Sequence, residues 1–253
     1  MPNFLTNQKG VFWFNGKKSD DFGIIISKVP SLNRPKRKFE VYSVPGRNGS
    51  IIEQYDCFED ITIEYEIWFA DEYYKIADAQ KQARAITSWL YSASGYCRLE
   101  DDFEPEYFRL AYFNGPLNIE TELCRYGSTK IKFVCRPERF LKSGEEWLSF
   151  AKNGPRTLKN PTAFTARPLV KITASGAGQV SGIVGEGHFV LAITDYLYID
   201  AETQDVYRQS AENNNNKFTG TMPALLAGDN IINCSDLTGT ISKIEIQPRW
   251  WTI

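Results

Sequence analysis

A hydroxyl or thiol nucleophile needs an imidazole to take its proton, and this chain has a single histidine, His188. It lies in His188-Phe189-Val190-Leu191, a run that reads as a strand, so the expected role is a partly buried structural histidine. Zinc wants three or four Cys or His ligands, some close in sequence. Cys57, Cys97, Cys124, Cys135, Cys234 and His188 include no two within ten residues of each other. The five cysteines are odd in number and form no CxxC pair, so they read as small buried apolar residues, neither a disulfide framework nor a metal set. Gly10 to Gly16-Lys17-Lys18 has one residue too many between its glycines for a phosphate loop, and Lys18 where that loop carries Ser or Thr. Gly176-Ala177-Gly178-Gln179-Val180-Ser181-Gly182 misses the dinucleotide fingerprint by one position and follows no βαβ pattern. No GxSxG nucleophile elbow occurs.

Carboxylates are the remaining chemistry. Glu100, Asp101, Asp102, Glu104 and Glu106 form the densest group, and glycoside hydrolysis needs only two such groups suitably spaced. On a hairpin tip they would be solvated and of ordinary acidity, and the pattern of a calcium loop is missing. The sequence therefore points to no enzyme, no cofactor and no metal. With 29 Lys and Arg against 31 Asp and Glu, the formal charge is -2, which gives no overall attraction for polyphosphate. The basic cluster Arg34, Lys36, Arg37 and Lys38 reads as a solvated loop or edge strand. A mean hydropathy of -0.36 accompanies the absence of any apolar run of about 18 residues, so no membrane insertion is expected. Residues 1–10 carry no basic start followed by an apolar stretch, so the expected setting is a reducing cytosol.

These side chains must be held by a mostly β framework. Phe12-Trp13-Phe14 before Asn15-Gly16 predicts a strand entering a hairpin turn. Gly23-Ile24-Ile25-Ile26 predicts a strand buried on both faces. Pro45-Gly46-Arg47-Asn48-Gly49 predicts a tight turn between strands at 39–44 and 50–55, and residues 61–67 alternate as a half-buried strand. From 72 to 94 the period changes: Tyr73, Ile76, Ala79, Ala83, Ile86 and Leu90 recur three or four residues apart, predicting one amphipathic helix. Asp71 could cap it and Gly95 end it. Strands are predicted at 96–100, 107–113, 117–123 and 129–135.

Residues 136–168 have connector composition, which places a boundary near residue 140. Seven short strands are predicted beyond it, at 169–174, 179–184, 188–193, 196–200, 205–208, 231–234 and 240–247. Asn213-Asn214-Asn215-Asn216 reads as a mobile loop. The fold class is thus mainly β: an α+β domain over 1–140 with one long helix, and an all-β sandwich over 141–253. Sixteen Phe, 13 Tyr and 6 Trp exceed what such a chain needs. They fill cores by default, or form permanent interfaces. Trp250 and Trp251 are the expected interface candidates, because a frayed tail would not carry both; a final core strand is the competing reading.

The order of these signals resembles the distal tail proteins (Dit) of long-tailed phages that infect Gram-positive hosts. The resemblance runs through Phe14-Asn15-Gly16-Lys17-Lys18-Ser19-Asp20-Asp21-Phe22-Gly23-Ile24, Val44-Pro45-Gly46-Arg47-Asn48-Gly49, Trp89-Leu90 and Ile131-Lys132-Phe133-Val134-Cys135-Arg136-Pro137. It continues in Asn160-Pro161-Thr162, Tyr196-Leu197-Tyr198-Ile199-Asp200, Pro223-Ala224-Leu225-Leu226-Ala227-Gly228-Asp229-Asn230 and Pro248-Arg249-Trp250-Trp251. Asn48 stands where related proteins often carry Asp. The resemblance implies a homo-hexameric ring at the tail tip, built by the N-terminal domain, with a galectin-like or carbohydrate-binding-module-like C-terminal sandwich on its periphery. The implied partners are the major tail tube protein, the tail-associated fibre or lysin protein and, in some phages, receptor-binding proteins. DNA would pass through the ring without being specifically bound. Such a protein would be made and assembled in the host cytoplasm and reside at the virion tail tip. The alternative is an adhesion protein that recognises cell-wall polysaccharide through the second domain.

Overall fold

The structure is a computed structural model that describes residues 10–31, 33–69, 76–115, 128–209, 212–239 and 241–253. The chain divides into two compact units, residues 1–139 with Ile253, and 140–252. In the first, β1 (Phe12–Phe14), β2 (Lys17–Lys18), β3 (Ile24–Ile26), β4 (Arg37–Tyr42), β5 (Ile51–Phe58) and β6 (Ile61–Phe69) precede α1 (Ile76–Ser92). Then come β7 (Cys97–Asp101), β8 (Tyr107–Phe113) and β9 (Ser128–Leu141). All but β4 and β5 join one sheet in the order β2-β1-β7-β8-β9-β6-β3.

Local chemistry sets the joints. The two-residue loop of β1 and β2 places Asn15 at φ 51° and Gly16 at φ 73°, the paired positive angles that Asn-Gly accepts. The predicted strand at Ile24–Ile26 forms, but at the sheet edge: a 3-10 turn over Ser19–Phe22 precedes it, and Ile25 is only half-buried. The expectation of burial on both faces was wrong, because a run of β-branched residues also suits an edge that one neighbour covers. Ala83, Ile86, Trp89 and Leu90 turn the helix's apolar side onto the sheet. Asp71 and the strand predicted at 117–123 lie outside the described residues.

Aromatic rings dominate this core. Phe12 stacks on Tyr65 at 5.1 Å, Phe22 stacks on Trp89 at 4.3 Å, and Phe133 meets Phe12 edge-on at 5.7 Å. The polar ends of the buried rings are satisfied. Trp89 Nε1 donates to the Phe14 carbonyl at 3.0 Å, and the Tyr65 hydroxyl to Asp101 Oδ2 at 2.6 Å. β9 runs on through Pro137 to Leu141, so residues read as the start of a connector are ladder strand.

The second unit contains β10 (Leu148–Phe150), β11 (Arg156–Asn160), β12 (Leu169–Ala174), β13 (Gly178–Val184), β14 (Gly187–Ile193) and β15 (Tyr196–Asp200). It continues with β16 (Asp205–Arg208), β17 (Glu212–Asn213), β18 (Phe218–Gly220), β19 (Gly228–Thr238), β20 (Ile241–Gln247) and β21 (Trp251–Thr252). One sheet has the order β10-β20-β12-β15-β16-β17 and the other β11-β19-β13-β14-β18. Their inward residues, among them Val170, Ile172, Ile199 and Ile244 from one sheet and Val180, Leu191 and Ile232 from the other, share one core. The asparagine run is ordered. Asn214 is buried, and Asn215 accepts the Val206 amide at 2.5 Å while donating to Asp205 at 3.0 Å. Its side chains satisfy local backbone groups, which composition alone does not reveal.

Arg249, itself at φ 57°, grips Asp200 with both guanidinium nitrogens, at 2.6 and 2.9 Å. Burial raises the affinity of Asp200 for its proton, but Arg249 and the Glu202 and Thr203 amides outweigh this and hold the carboxyl below its ordinary value. The stabilisation is therefore complete above the ordinary carboxylate range and is lost as pH falls through the depressed native value. Asp200→Asn is expected to cost about 1–3 kcal/mol at neutral pH and to flatten the acid limb of a urea-midpoint against pH plot. In the other unit, Phe133→Ala is expected to cost about 3–5 kcal/mol in urea unfolding, because Phe133 is fully buried.

Candidate assembly interface

Among the described residues, those that could do chemistry do not converge, and Cys124 lies outside them. His188 is exposed on β14, which corrects the expectation of partial burial: the strand alternates, and the neighbours Gly187 and Phe189 take the inward positions. Cys135 and Cys234 are buried and burial pushes both thiols up to about 12, but Cys97 is half-buried and Cys57 is exposed. Among the described residues no cluster of His, Cys, Asp and Glu could hold a metal ion. No described helix is long and apolar enough to cross a membrane.

The acidic segment is only in part the solvated tip expected: Asp102 and Glu106 are exposed, but the others are not. Asp101 is buried, accepts the Tyr65 hydroxyl, and takes the Phe103 and Glu104 amides on Oδ1 at 2.9 and 3.0 Å. Glu104 lies between Arg109, at 3.1 Å, and Arg139. These carboxylates are used up in fixing the β7–β8 turn.

What remains unsatisfied is apolar surface. The β4–β5 hairpin is a two-stranded sheet of its own, and none of its side chains enters either core. Of the 15 large hydrophobic side chains exposed among the described residues, seven lie here: Phe39, Val41, Tyr42, Val44, Ile51, Ile52 and Tyr55. The Arg47 amide donates to the Val44 carbonyl at 3.2 Å, with Gly46 at φ 80°, closing a turn of Pro45 and Gly46 at its tip. At its base the Glu59 amide donates to the Lys36 carbonyl at 2.8 Å, and Arg37 covers the Phe58 ring at 4.9 Å.

The register gives the ribbon two different faces. Val41 opposes Ile52 and Phe39 opposes Gln54, so one face is a nearly continuous apolar strip. Tyr42 opposes Ile51 and Glu40 opposes Glu53 on the other. Glu40 accepts the Tyr42 hydroxyl and holds the Tyr42 and Tyr55 phenols above their ordinary pKa. Phe39, Val41 and Ile52 are 54, 53 and 64% exposed, so covering them would contribute roughly 1 kcal/mol each. A lone two-stranded ribbon is marginal in water, and this one carries an apolar strip that no core cluster of the described residues includes.

The terminal pair sits within the second unit. Trp250 is 4% exposed in that core, and the Leu141 amide donates to its carbonyl at 2.9 Å. Trp251 is half-buried, stacks on Phe164 at 4.4 Å and donates Nε1 to the Thr165 carbonyl at 2.9 Å.

No protein-family model and no curated protein sequence matches this chain. Among solved structures, the crystal structure of SPP1 Dit (gp 19.1), described as a paradigm of the hub adsorption apparatus in Gram-positive infecting phages, has a TM-score of 0.72 to it. The likeness covers 96% of this chain and 99% of that one at 8% identity. The chain has the fold of a phage Dit protein. The phage P2 baseplate, in its activated conformation with Ca, aligns over 94% of this chain and 97% of that one at 9% identity, with a TM-score of 0.49. The Dit fold spans both units, as the order of motifs led us to expect. The hairpin was visible in the sequence only as a turn between two strands, since alternation does not say that neither face will be covered.

The tail in this Dit fold depends on a close backbone approach. A Cβ at Gly144 would lie 2.4 Å from the Trp250 backbone nitrogen, and the Gly144 carbonyl accepts the Arg249 amide at 2.8 Å. Gly144→Ala is expected to lower the stability of the second unit by about 1–3 kcal/mol in urea unfolding, by forcing Trp250 out of its seat.

Proposed function

We propose that this protein is a structural hub of a phage tail tip, acting by assembly and not by catalysis. Identical subunits close head-to-tail into a hexameric ring, and the apolar face of each β4–β5 hairpin is covered by the neighbouring subunit. The ring joins the tail tube protein to the tail-associated fibre or lysin protein and, in some phages, to receptor-binding proteins, leaving a central channel for DNA. It is assembled in the host cytoplasm and works in the virion.

The observation that carries this reading is the hairpin, with seven exposed large hydrophobic side chains on a ribbon outside both cores. The fold likeness to SPP1 Dit, described as a paradigm of the hub adsorption apparatus, supports the same assignment. A net charge of -2 suits a conduit that a polyanion crosses without sticking. Trp251, half-buried, is the member of the terminal pair with surface left to contribute to a seam; Trp250 would act by holding the tail in place. The polysaccharide-adhesion reading has less support, because Trp250 is core and Trp251 is already stacked on Phe164, which leaves Trp147 as the one exposed tryptophan among the described residues of the second unit.

Six subunits of 28.9 kDa give about 173 kDa, the mass expected from light scattering of the purified protein. Ile52→Asp should leave the folded subunit intact by circular dichroism, because Ile52 is 64% exposed, while shifting the mass to that of a monomer. A wild-type monomer at micromolar concentration, or an Ile52→Asp protein that still forms the ring, would overturn the proposal.

A further inference from the structure

Asn-Gly is the dipeptide in which the backbone most readily attacks its own side chain, because glycine has no Cβ to shield the amide nitrogen. The sequence contains four, at Asn15, Asn48, Asn114 and Asn153. Three are restrained. Asn15 is locked at φ 51° between paired strands, its amide donating to the Arg98 carbonyl at 3.1 Å. At Asn153 the would-be nucleophile is engaged: the Gly154 amide donates to Asn233 Oδ1 at 3.2 Å, and the Asn153 amide to the Cys234 carbonyl at 3.0 Å. Gly115, which follows Asn114, is packed so closely that a Cβ there would lie 2.3 Å from the Tyr91 hydroxyl.

Asn48 is different. It and Gly49 are exposed at the tip of the β4–β5 hairpin, one residue beyond the Val44–Arg47 turn bond; like Gly16, Gly49 has nothing within 4 Å of a Cβ built on it, but Asn48 has neither the positive φ nor the strand-to-strand backbone bond that hold Asn15. The side chain and the following amide have room to reach the attack geometry that the other three pairs are denied.

We propose that Asn48 is a site of spontaneous deamidation in the folded protein. The Gly49 nitrogen attacks Asn48 Cγ, the new N–Cγ bond forms, the Cγ–Nδ2 bond breaks, and ammonia departs with the proton given up by the Gly49 amide. Water then opens the succinimide at either carbonyl, leaving aspartate or isoaspartate. The net change is water in and ammonia out, with no oxidant or reductant. Aspartate places a carboxylate beside Arg47 at the tip. Isoaspartate also inserts a methylene into the main chain that joins β4 to β5.

The test is incubation of the full-length protein in mildly alkaline buffer, followed by digestion and mass spectrometry of the four Asn-Gly peptides, with isoaspartate scored by a protein isoaspartate methyltransferase. Conversion is expected at Asn48 alone in the native chain, and at all four sites at similar rates once the chain is unfolded in urea. Gly49→Ala should suppress conversion at residue 48, and Asn48→Asp should abolish the mass gain of that peptide. Equal conversion of the four sites in the native protein would overturn the proposal. So would an Asn48 that stays intact in the native chain yet converts in urea.

Discussion

Two strands paired only with each other cannot keep water from either of their faces. Among the described residues, every other strand of the first unit belongs to a sheet against which α1 packs, whereas β4 and β5 form a ribbon with exposed side chains on both faces. The hydrophobic effect keeps apolar side chains dry only where another layer covers them, and Phe39, Val41, Ile51 and Ile52 are exposed. The proposal of a ring-forming hub follows from that one uncovered strip more than from any residue with reactive chemistry.

The rest of the molecule shows that this exposure is local. Phe12, Phe14, Tyr65, Trp89 and Phe133 are packed ring against ring, and the indole and phenol that could be left unpaired inside find the Phe14 carbonyl and Asp101. Carboxylates in the densest acidic segment are spent on the Phe103 and Glu104 amides and on Arg109 and Arg139. In the second unit Asp200 holds Arg249, and Asn230 binds the Leu226 amide and carbonyl at 2.8 Å each. These polar groups inside both units fix turns and satisfy buried rings.

Much of this was legible from residue order. Asn15-Gly16 gave the first hairpin, the three-and-four spacing of Ala83, Ile86 and Leu90 gave the helix face, and the strands at 169–174, 196–200 and 205–208 lie where alternation put them. Other features were not. The short strands β10, β17 and β18 have too few residues to show a period, β11 lies between Gly154-Pro155 and Pro161 in what reads as connector composition, and β9 continues through a proline that usually signals a break. His188 takes an outward position of an alternating strand, and the Asn213-Asn214-Asn215-Asn216 run is held by side-chain bonds to local backbone groups, which composition does not report. A further limit hid the interface. A period of two assigns residues to faces, but only tertiary structure says that Val41 and Ile52 have no layer above them.

The pairing of Val41 with Ile52, and of Glu40 with Glu53, fixes which side of the ribbon is greasy and which is charged. Moving one strand past the other by a single residue would exchange those sides. The tip should consequently tolerate many replacements of individual side chains yet resist any change in its length, so natural variants of this segment ought to diverge in letters and hardly ever in spacing.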